Sequence, residues 1–379
     1  MEAFTAFPSH NSHMVSPAYS QVMVGGSSSY SIRSVIKRGG WEGIFKVKSR
    51  AEKPYIARIH KIQSVAFAYV DTLGHLRNEV TDEESGSQTR AAYPGLECLI
   101  DYGTVKLPGC EALAHFIISP IHDGSALDWI TTGPGVRLAS SIRPRVNLLF
   151  THQLYSAMIY LQERGLAHND IKAENVMIAQ SKGQIIVVDF IAATTLPDHP
   201  ETNRLACVAR QAALDSDAFA ATEVLIQLYL GRKMDGGGEA GLQAVTQYLR
   251  DERQCATAVT VAKAAYEEFR PGRGYASPIL RLSKYPENYP EAWGVSDVVS
   301  ADHFAAMQFL LDREFLAPAL CGIPVANELR DIFKAGYLLE ANFGRLAPRM
   351  VQLMDRLNVQ APMSEQQTEE AKEAIRVTT

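Results

Sequence analysis

The sequence predicts an α+β protein in which a small β-rich part is followed by a larger helical part. Short β-rich runs around a glycine cluster occupy residues 34–50 and 54–62, as is typical of strands joined by turns. From about Asn147 the pattern becomes helical, with apolar residues spaced i, i+3, i+4, i+7 on one helix face. These residues are Leu154, Ala157, Met158 and Leu161.

The composition is that of a folded globular protein. Of the 379 residues, 46% are hydrophobic and 21% are charged, which excludes a chain that is disordered throughout. The 37 Lys and Arg against 42 Asp and Glu give a net charge of −5. Without a basic excess to neutralise phosphates, nucleic acid is not expected as the main partner. No apolar run reaches about 18 residues, so no membrane span is expected.

Further elements follow from local patterns along the chain. The pattern predicts a helix over residues 65–84 that ends in an acidic run, and strands at about 99–105 and 113–121. A pair of short apolar strands brackets a turn within 175–190. After Asp217 the pattern is mostly helical. The N-terminus lacks the basic and apolar regions of a usual secretory signal, and the five scattered cysteines favour free, buried thiols in a reducing compartment.

The segment GLAHNDIKAENVMI, followed by IIVVDFIAAT, carries the most informative group of polar residues. Lys172 and Asn175 follow Asp170 by two and five positions, and Asp189 ends an apolar run. Asn175 and Asp189 offer the oxygen ligands that a hard cation such as Mg²⁺ prefers. Lys172 can neutralise a migrating phosphoryl group, and Asp170 can orient or deprotonate an attacking hydroxyl. Together these residues can hold a divalent cation and phosphates beside a hydroxyl.

This spacing resembles the signature of the protein kinase superfamily. HNDIKAEN is similar to the kinase catalytic loop H-R-D-x-K-x-x-N, and DFI, which begins at Asp189, is similar to D-F-G. Residues 148–166 resemble the helix that leads into the catalytic loop. The segment that begins at Asp217 resembles the central buried helix of the large lobe. The resemblance covers roughly residues 34–235.

The resemblance implies a two-lobed protein-kinase-like fold with a small β-rich N-lobe, a larger helical C-lobe and a helical C-terminal extension. It implies catalytic roles for Asp170 and Lys172, and metal binding by Asn175 and Asp189. The expected segments are a flexible leader at 1–32, the N-lobe at 33–119, the C-lobe at 120–300, the extension at 301–360 and a polar tail at 361–379.

The resemblance also implies a nucleotide site that binds ATP. Gly40 and Gly43 fit the second and third glycines of the G-x-G-x-x-G loop that covers the phosphates, although the segment alone also fits a plain hairpin turn. FIISPIHDG resembles the strand that leads into the kinase hinge, with Ser119 and Ile121 in the hinge itself. The residues expected to contact the nucleotide are therefore Gly40 and Gly43 in the loop and Ser119 and Ile121 in the hinge.

A charged pair is expected beside the nucleotide phosphates. Arg58 occupies the position of the invariant kinase lysine, and Lys61 is the alternative if the strand register is shifted. Arginine is a permanent cation that can pair with phosphates, but its guanidinium is bulkier than an ammonium group. Glu79 in RNEV is the expected partner of Arg58 on the small-lobe helix. The alternative is a solvated helix glutamate belonging to the acidic run.

Several departures from the kinase pattern favour an atypical protein. Asn169 replaces the arginine that reads an activating phosphate in many kinases, so loop phosphorylation is not the expected switch. Ile191 replaces the glycine of D-F-G, which removes a flexible hinge. No A-P-E occurs between Asp189 and Asp217, which indicates a shortened activation segment and puts the usual peptide-docking platform in doubt.

The expected function is ATP- and Mg²⁺-dependent phosphoryl transfer to protein Ser/Thr hydroxyls. One alternative is a pseudokinase that binds or scaffolds, and another is a kinase-fold enzyme that transfers a different group, such as a nucleotidyl group. The expected partners are a protein substrate and a host or regulatory protein. The HND loop and Ser-rich leader resemble secreted effector kinases of bacterial pathogens, and an atypical parasite or other eukaryotic kinase is also similar. The expected location is the cytoplasm, or a host-cell cytosol for an effector.

Overall fold

A computed structural model describes most of the chain between Val22 and Leu353. The described residues are 22–25, 29–38, 42–81, 88–106, 113–132, 135, 143–196, 204–234, 238–269, 301–323, 325–338, 346, 348–349 and 352–353. The chain divides into two compact units. The first contains the residues up to His122 together with Val188–Ile191, and the second contains Asp123–Val187 and the chain from Ala192.

The first unit is built around a closed antiparallel barrel. Its strands and single described helix are β1 Val22–Gly25, β2 Ser29–Arg38, β3 Glu42–Ser49, β4 Pro54–His60, α1 Gln63–His75, β5 Arg77–Thr81, β6 Gln88–Ala92, β7 Asp101–Lys106 and β8 Leu113–Pro120. Six strands close the barrel in the order β1-β2-β3-β4-β8-β7, while β5 and β6 form a separate two-stranded sheet. Register shifts within β2 are the kind of irregularity that bends a strand and helps a barrel close.

The barrel core follows from period-two alternation in the strands. Phe45 and Val47 on β3 and Ala57 and Ile59 on β4 are fully or almost fully buried, because alternate side chains of a strand point to the same face. Phe116 of β8 joins this cluster. A one-residue slip in any of these strands would turn its apolar set outwards, so the pattern specifies the register.

The first unit corrects two expectations. The flexible leader was expected to extend to residue 32, but β1 and the start of β2 lie within it; Tyr30 and Ile32 are buried in the barrel core. In the sequence, Tyr30 and Ile32 alternate with serines, and the Ser-rich composition led us to expect a flexible segment there. Residues 1–21 lie outside the described residues. The helix expected at 65–84 ends at His75 and is followed by β5. β5 pairs with β6, which begins seven positions after β5 ends, and a helical periodicity does not reveal this pairing.

The second unit is mainly helical. Its strands are β9 Gly124–Ser125, β10 Leu166–Ala167, β11 Val176–Ala179, β12 Gln184–Val187 and β13 Thr194–Thr195, and its helices are α2 Ala126–Thr131, α3 Arg143–Glu163, α4 Arg204–Leu230, α5 Gly238–Asp251, α6 Ala258–Glu267, α7 Ala301–Leu310, α8 Ala317–Ala319 and α9 Ala326–Tyr337. A π-helical stretch, Leu311–Leu316, joins α7 to α8. The α+β class, with a β-rich part followed by a larger helical part, is therefore confirmed.

The central helix of the second unit is α4, as expected from the segment that begins at Asp217. Ala218, Ala221 and Leu225 on this helix are fully buried. The C-terminal helices pack directly on α4: the rings of Phe219 and Tyr337 lie 4.5 Å apart between centroids. The described part of the extension is therefore continuous with the core of the second unit.

Among the described residues, no helix is both long enough and apolar enough to cross a lipid bilayer. Cys98, Cys255 and Cys321 form no disulfide. Cys98 and Cys255 are partly buried and Cys321 is exposed, so these three thiols are less buried than expected. The other two cysteines belong to parts of the chain whose side chains are not described.

Candidate active site

The catalytic-loop residues predicted from the sequence meet in the second unit. The Lys172 Nζ atom donates to Asp170 Oδ2 over 2.6 Å. Asn175 Nδ2 donates to the same carboxylate oxygen and to the Asp170 carbonyl, each over 2.9 Å. Asn175 is buried, whereas the Asp170 and Lys172 side chains remain about one-third exposed, at 32% and 38%. The loop thus presents an oriented carboxylate and a cation to solvent.

The position of this loop is set by α4. Asp217 Oδ2 accepts a hydrogen bond from the His168 backbone N–H over 2.7 Å, and its Oδ1 accepts one from the Asn169 N–H over 2.8 Å. Burial raises the pKa of Asp217 to about 7, although both backbone hydrogen bonds act to lower it. The ring of His168 is itself buried, and its Nδ1 accepts from the Asp170 N–H over 3.3 Å. His168 therefore supports the loop by hydrogen bonding.

Asp189 and Arg58 come together in the first unit, in a buried ionic cluster with Glu97. Arg58 lies on β4 with only 8% of its side chain exposed. Its Nε is 3.6 Å from Glu97 Oε1, and its Nη1 is 3.7 Å from Asp189 Oδ2. One guanidinium therefore bridges two carboxylates, which suits its planar array of donors.

Glu97 is the centre of this cluster. Its Oε2 accepts from the Asp189 backbone N–H over 3.0 Å and from the hydroxyl of Tyr69 on α1, and it also accepts from Ser119 on β8. Burial raises the pKa of Glu97, but Arg58 and these three donors outweigh that effect, so its pKa lies below the ordinary value. Glu97 is therefore a buried carboxylate held in its charged form.

The expectation that Glu79, the proposed partner of Arg58, lies on the small-lobe helix is wrong. Glu79 lies in β5, where it is paired in register with Arg90 of β6, and the described carboxylates in contact with Arg58 include those of Glu97 and Asp189. The sequence does carry a signal for Glu97, which is an isolated charge between apolar residues in PGLECLI. Charged residues are rarely buried unless they are paired, so such a position points to a specific partner.

The backbone at Asp189 is in the left-handed region, with φ of +71°. This conformation is uncommon for a residue other than glycine, and the hydrogen bond from its N–H to Glu97 supports it. The next residue of DFI, Phe190, is buried, whereas Ile191 is 40% exposed. Within the described part of the chain, Asp189 Oδ1 is buried without a hydrogen-bond partner. An unpaired carboxylate oxygen of this kind fits a hard cation.

The predicted nucleotide contacts fall at several places in the first unit. Gly43 lies in β3, where it pairs with Arg38 across the β2–β3 hairpin and with Ile59 of β4, while Gly40 lies outside the described residues. Ser119 is buried near the end of β8, with its hydroxyl directed to Glu97. Ile121, just after β8, is half-buried.

A buried histidine adjoins the ionic cluster. His60, at the end of β4, is only 2% exposed, and no described residue makes a hydrogen bond to its Nε2. Burial lowers its pKa to about 4, and the neighbouring Arg58 acts in the same direction, although Asp189 and Glu97 oppose them. His60 is therefore neutral at physiological pH.

Comparisons with known proteins agree with the resemblance drawn from the catalytic loop. Residues 115–236 match the family model described as Protein kinase domain. Serine/threonine-protein kinase pim-2 of Danio rerio is 30% identical over 118 residues, which cover 31% of this chain and 35% of that protein. Serine/threonine-protein kinase PrkC of Bacillus subtilis (strain 168) is 24% identical over 238 residues, or 60% of this chain and 34% of that protein. The chain thus spans about a third of each curated relative.

Two solved structures are also similar. The BubR1 kinase domain is 14% identical, with a TM-score of 0.35, over 47% of this chain and 52% of that one. The kinase domain of a Toxoplasma gondii specific rhoptry antigen is 13% identical, with a TM-score of 0.39, over 65% and 76%. The family match, which contains Asp170, Asp189 and Asp217, confirms the predicted resemblance to the protein kinase superfamily and its α+β fold.

Proposed function

We propose that this relative of the protein kinases transfers the terminal phosphoryl group of ATP to a Ser or Thr hydroxyl of a protein substrate. The observation that carries the proposal is the arrangement of Lys172 and Asn175 around one oxygen of Asp170, within 2.6 and 2.9 Å. Phosphoryl transfer depends almost entirely on positioning and electrostatic stabilisation. A carboxylate oriented by a cation and an amide on a buried support provides both.

Asp170 is assigned to the substrate hydroxyl. Its Oδ2 accepts from Lys172 and Asn175. We therefore assign Oδ1 to accept the hydroxyl proton as the new O–P bond forms and the bond from the terminal phosphorus to the bridging oxygen of the departing ADP breaks. Lys172 is assigned to the negative charge of the transferred group, since its ammonium is partly exposed and close to Asp170. Each role uses a group whose position is already set by the loop.

Asn175 and Asp189 are the residues that would hold Mg²⁺. The Asn175 amide nitrogen is occupied by Asp170, so its carbonyl oxygen is the atom available to a cation. Asp189 contributes Oδ1, which is buried and unpaired among the described residues. Bound Mg²⁺ would supply neutralising charge to the nucleotide phosphates.

Arg58 is assigned to the nucleotide phosphates, with Glu97 in place of Glu79 as the carboxylate that orients it. Gly40 and Gly43 remain the proposed phosphate-covering glycines, and the hinge segment remains the proposed adenine contact. The buried position of Arg58 between two carboxylates supports the assignment, because a guanidinium without such partners would be costly to bury.

A second candidate function is nucleotide binding without transfer. The ion pair between Arg58 and Asp189 favours it, because one oxygen of the proposed metal-binding carboxylate already faces a cation. In that case ATP and Mg²⁺ would stabilise the protein, but no phosphate would appear on any substrate.

Transfer of radiolabelled phosphate from ATP to a mixed Ser/Thr peptide library, with and without Mg²⁺, tests the proposal. Asp189→Ala and Asp170→Asn should each lower transfer by about 10²-fold or more while the folded state persists. Asp302→Asn is the matched control, since Asp302 forms a surface ion pair with Arg253. Undiminished transfer by Asp189→Ala would refute the metal role. Thermal stabilisation by ATP and Mg²⁺ without transfer would favour the second candidate.

A further inference from the structure

We propose that Asn169 is a positioning residue whose neutral amide clamps the segment Ala192–Thr194 to the catalytic loop, so that this segment is held without phosphorylation. The catalytic consequence rests on the proposed function, whereas the clamp itself does not. Asn169 directly precedes Asp170, and the segment begins three residues after Asp189. The clamp therefore links the part of the chain that carries the proposed base to the part that follows the proposed metal ligand.

The amide of Asn169 makes two hydrogen bonds to this segment. Its Nδ2 donates to the Ala192 carbonyl over 3.0 Å and to the Thr194 hydroxyl oxygen over 2.9 Å. A primary amide nitrogen has two hydrogens to donate, so these two contacts use both of them. Neither contact requires a charge on Asn169 or on the segment.

The clamp has a rigid base. The Asn169 backbone N–H donates to the buried Asp217 carboxylate over 2.8 Å, which ties the residue to α4. Asn169 has φ of +62°, a left-handed conformation that asparagine tolerates better than most residues. This backbone directs a short side chain from a fixed point, so the amide loses little freedom when it binds the segment.

The far end of the segment is fixed by independent contacts. Thr194 and Thr195 of β13 pair with Ala167 and Leu166 of β10, and the Leu196 N–H donates to the Gly165 carbonyl over 2.6 Å. Leu196 is buried in an apolar cluster with Ala167 and Leu214. With its far end anchored in this way, the turn at Ala192 depends on the Asn169 amide to stay beside the catalytic loop.

Asn169→Gly is the sharpest test because glycine keeps the left-handed backbone and the N–H bond to Asp217 while removing only the amide. Hydrogen–deuterium exchange should be about tenfold faster at the backbone amides of Ala192–Thr195 in this variant, as expected for the loss of hydrogen bonds of ordinary strength. Exchange in α3 should be unchanged. The turnover number, calculated per folded molecule, should fall by about tenfold with little change in KM for ATP, and the unchanged exchange in α3 would exclude a general loss of folded protein as the cause.

Thr194→Val tests the same contact from the other side without altering the Asn169 backbone. This variant removes the Thr194 hydroxyl and keeps the Ala192 carbonyl, so the increase in exchange should be smaller than in Asn169→Gly. Thr194→Ser keeps a hydroxyl and should exchange at the wild-type rate. Treatment of the wild-type chain with a broad-specificity protein phosphatase should change neither exchange nor turnover. Wild-type exchange in Asn169→Gly, or loss of protection after phosphatase treatment, would overturn the proposal. A wild-type chain without transferase activity would contradict the proposed function, and the exchange data would still decide the clamp.

Discussion

Replacing Glu97 with Gln should destabilise the first unit and slow phosphoryl transfer, although the two side chains have the same shape. The amide oxygen can take the place of Oε2 and keep the hydrogen bonds from Tyr69 and Asp189. The amide nitrogen then faces the Arg58 guanidinium, where the carboxylate oxygen lay 3.6 Å away. A buried cation thereby loses the counter-charge of Glu97 and keeps that of Asp189, at 3.7 Å.

The size of the stability loss depends on the charge interaction that Arg58 loses, with Glu97, and on the one that it keeps, with Asp189. Complete removal of one partner from a buried ion pair costs about 3–5 kcal/mol, and loss of a single hydrogen bond costs about 1 kcal/mol. Because Asp189 still neutralises Arg58 in part, we expect a loss of about 2 kcal/mol in the free energy of unfolding, between these limits. Turnover should fall by about 10²-fold, the usual effect of removing one preorganised electrostatic group.

Denaturant unfolding followed by circular dichroism and radiolabelled phosphate transfer measure the two effects. Glu52→Gln is the matched control, since Glu52 is an exposed glutamate that also forms ion pairs, with Arg33 and Lys48. Surface pairs contribute little, so its unfolding midpoint should not move. Wild-type stability and turnover in Glu97→Gln would refute the reasoning. A loss of activity in Glu79→Gln instead would restore the expectation drawn from the sequence.

Two further predictions concern pH and the support of the catalytic loop. The pKa of His60 is about 4 in the folded protein and 6.5 when unperturbed, so the unfolded chain binds this proton more readily. Stability should therefore fall as pH drops from 6.5 towards 4, by about 3 kcal/mol in total, and His60→Leu should flatten that dependence in pH-resolved urea denaturation. A variant with the wild-type pH profile would contradict the assignment. Asp217→Ala should cost about 2–4 kcal/mol of unfolding free energy and reduce turnover, because it leaves the buried N–H of His168 and the partly buried N–H of Asn169 without an acceptor; calorimetry that shows no change would exclude this role.

The catalytic loop could be predicted because its geometry is local. Asp170, Lys172 and Asn175 lie within six consecutive positions of the chain, between the helix α3 and the strand β11. Once such a loop is formed, short side chains at these spacings can reach one another without help from distant segments. The strand that precedes Asp189 was predictable for a similar reason, since its continuous apolar run, Ile185 to Val188, is typical of a buried strand.

The carboxylate partner of Arg58 could not be predicted from local spacing. The spacing of Leu73, Leu76 and Val80 predicts a helix, whereas the structure ends the helix at His75 and pairs β5 with β6. The position of Glu79 in a strand and the burial of Glu97 beside Arg58 therefore depend on pairing and packing, which apolar spacing alone does not contain. The Ser-rich stretch before residue 33 shows the same limit, because β1 is held by β2 and by β7, a strand about eighty positions later.

Residue identity and short-range spacing were thus sufficient for the α+β class and for the chemical character of the loop at Asp170. Strand pairing and burial selected Glu97 as the buried acid beside Arg58, placed the Asn169 amide against Ala192 and Thr194, and closed the barrel through β1. The physical reason is that an ion pair or hydrogen bond in the interior requires two groups to share a desolvated position. Which groups do so is decided when the strands and helices pack together.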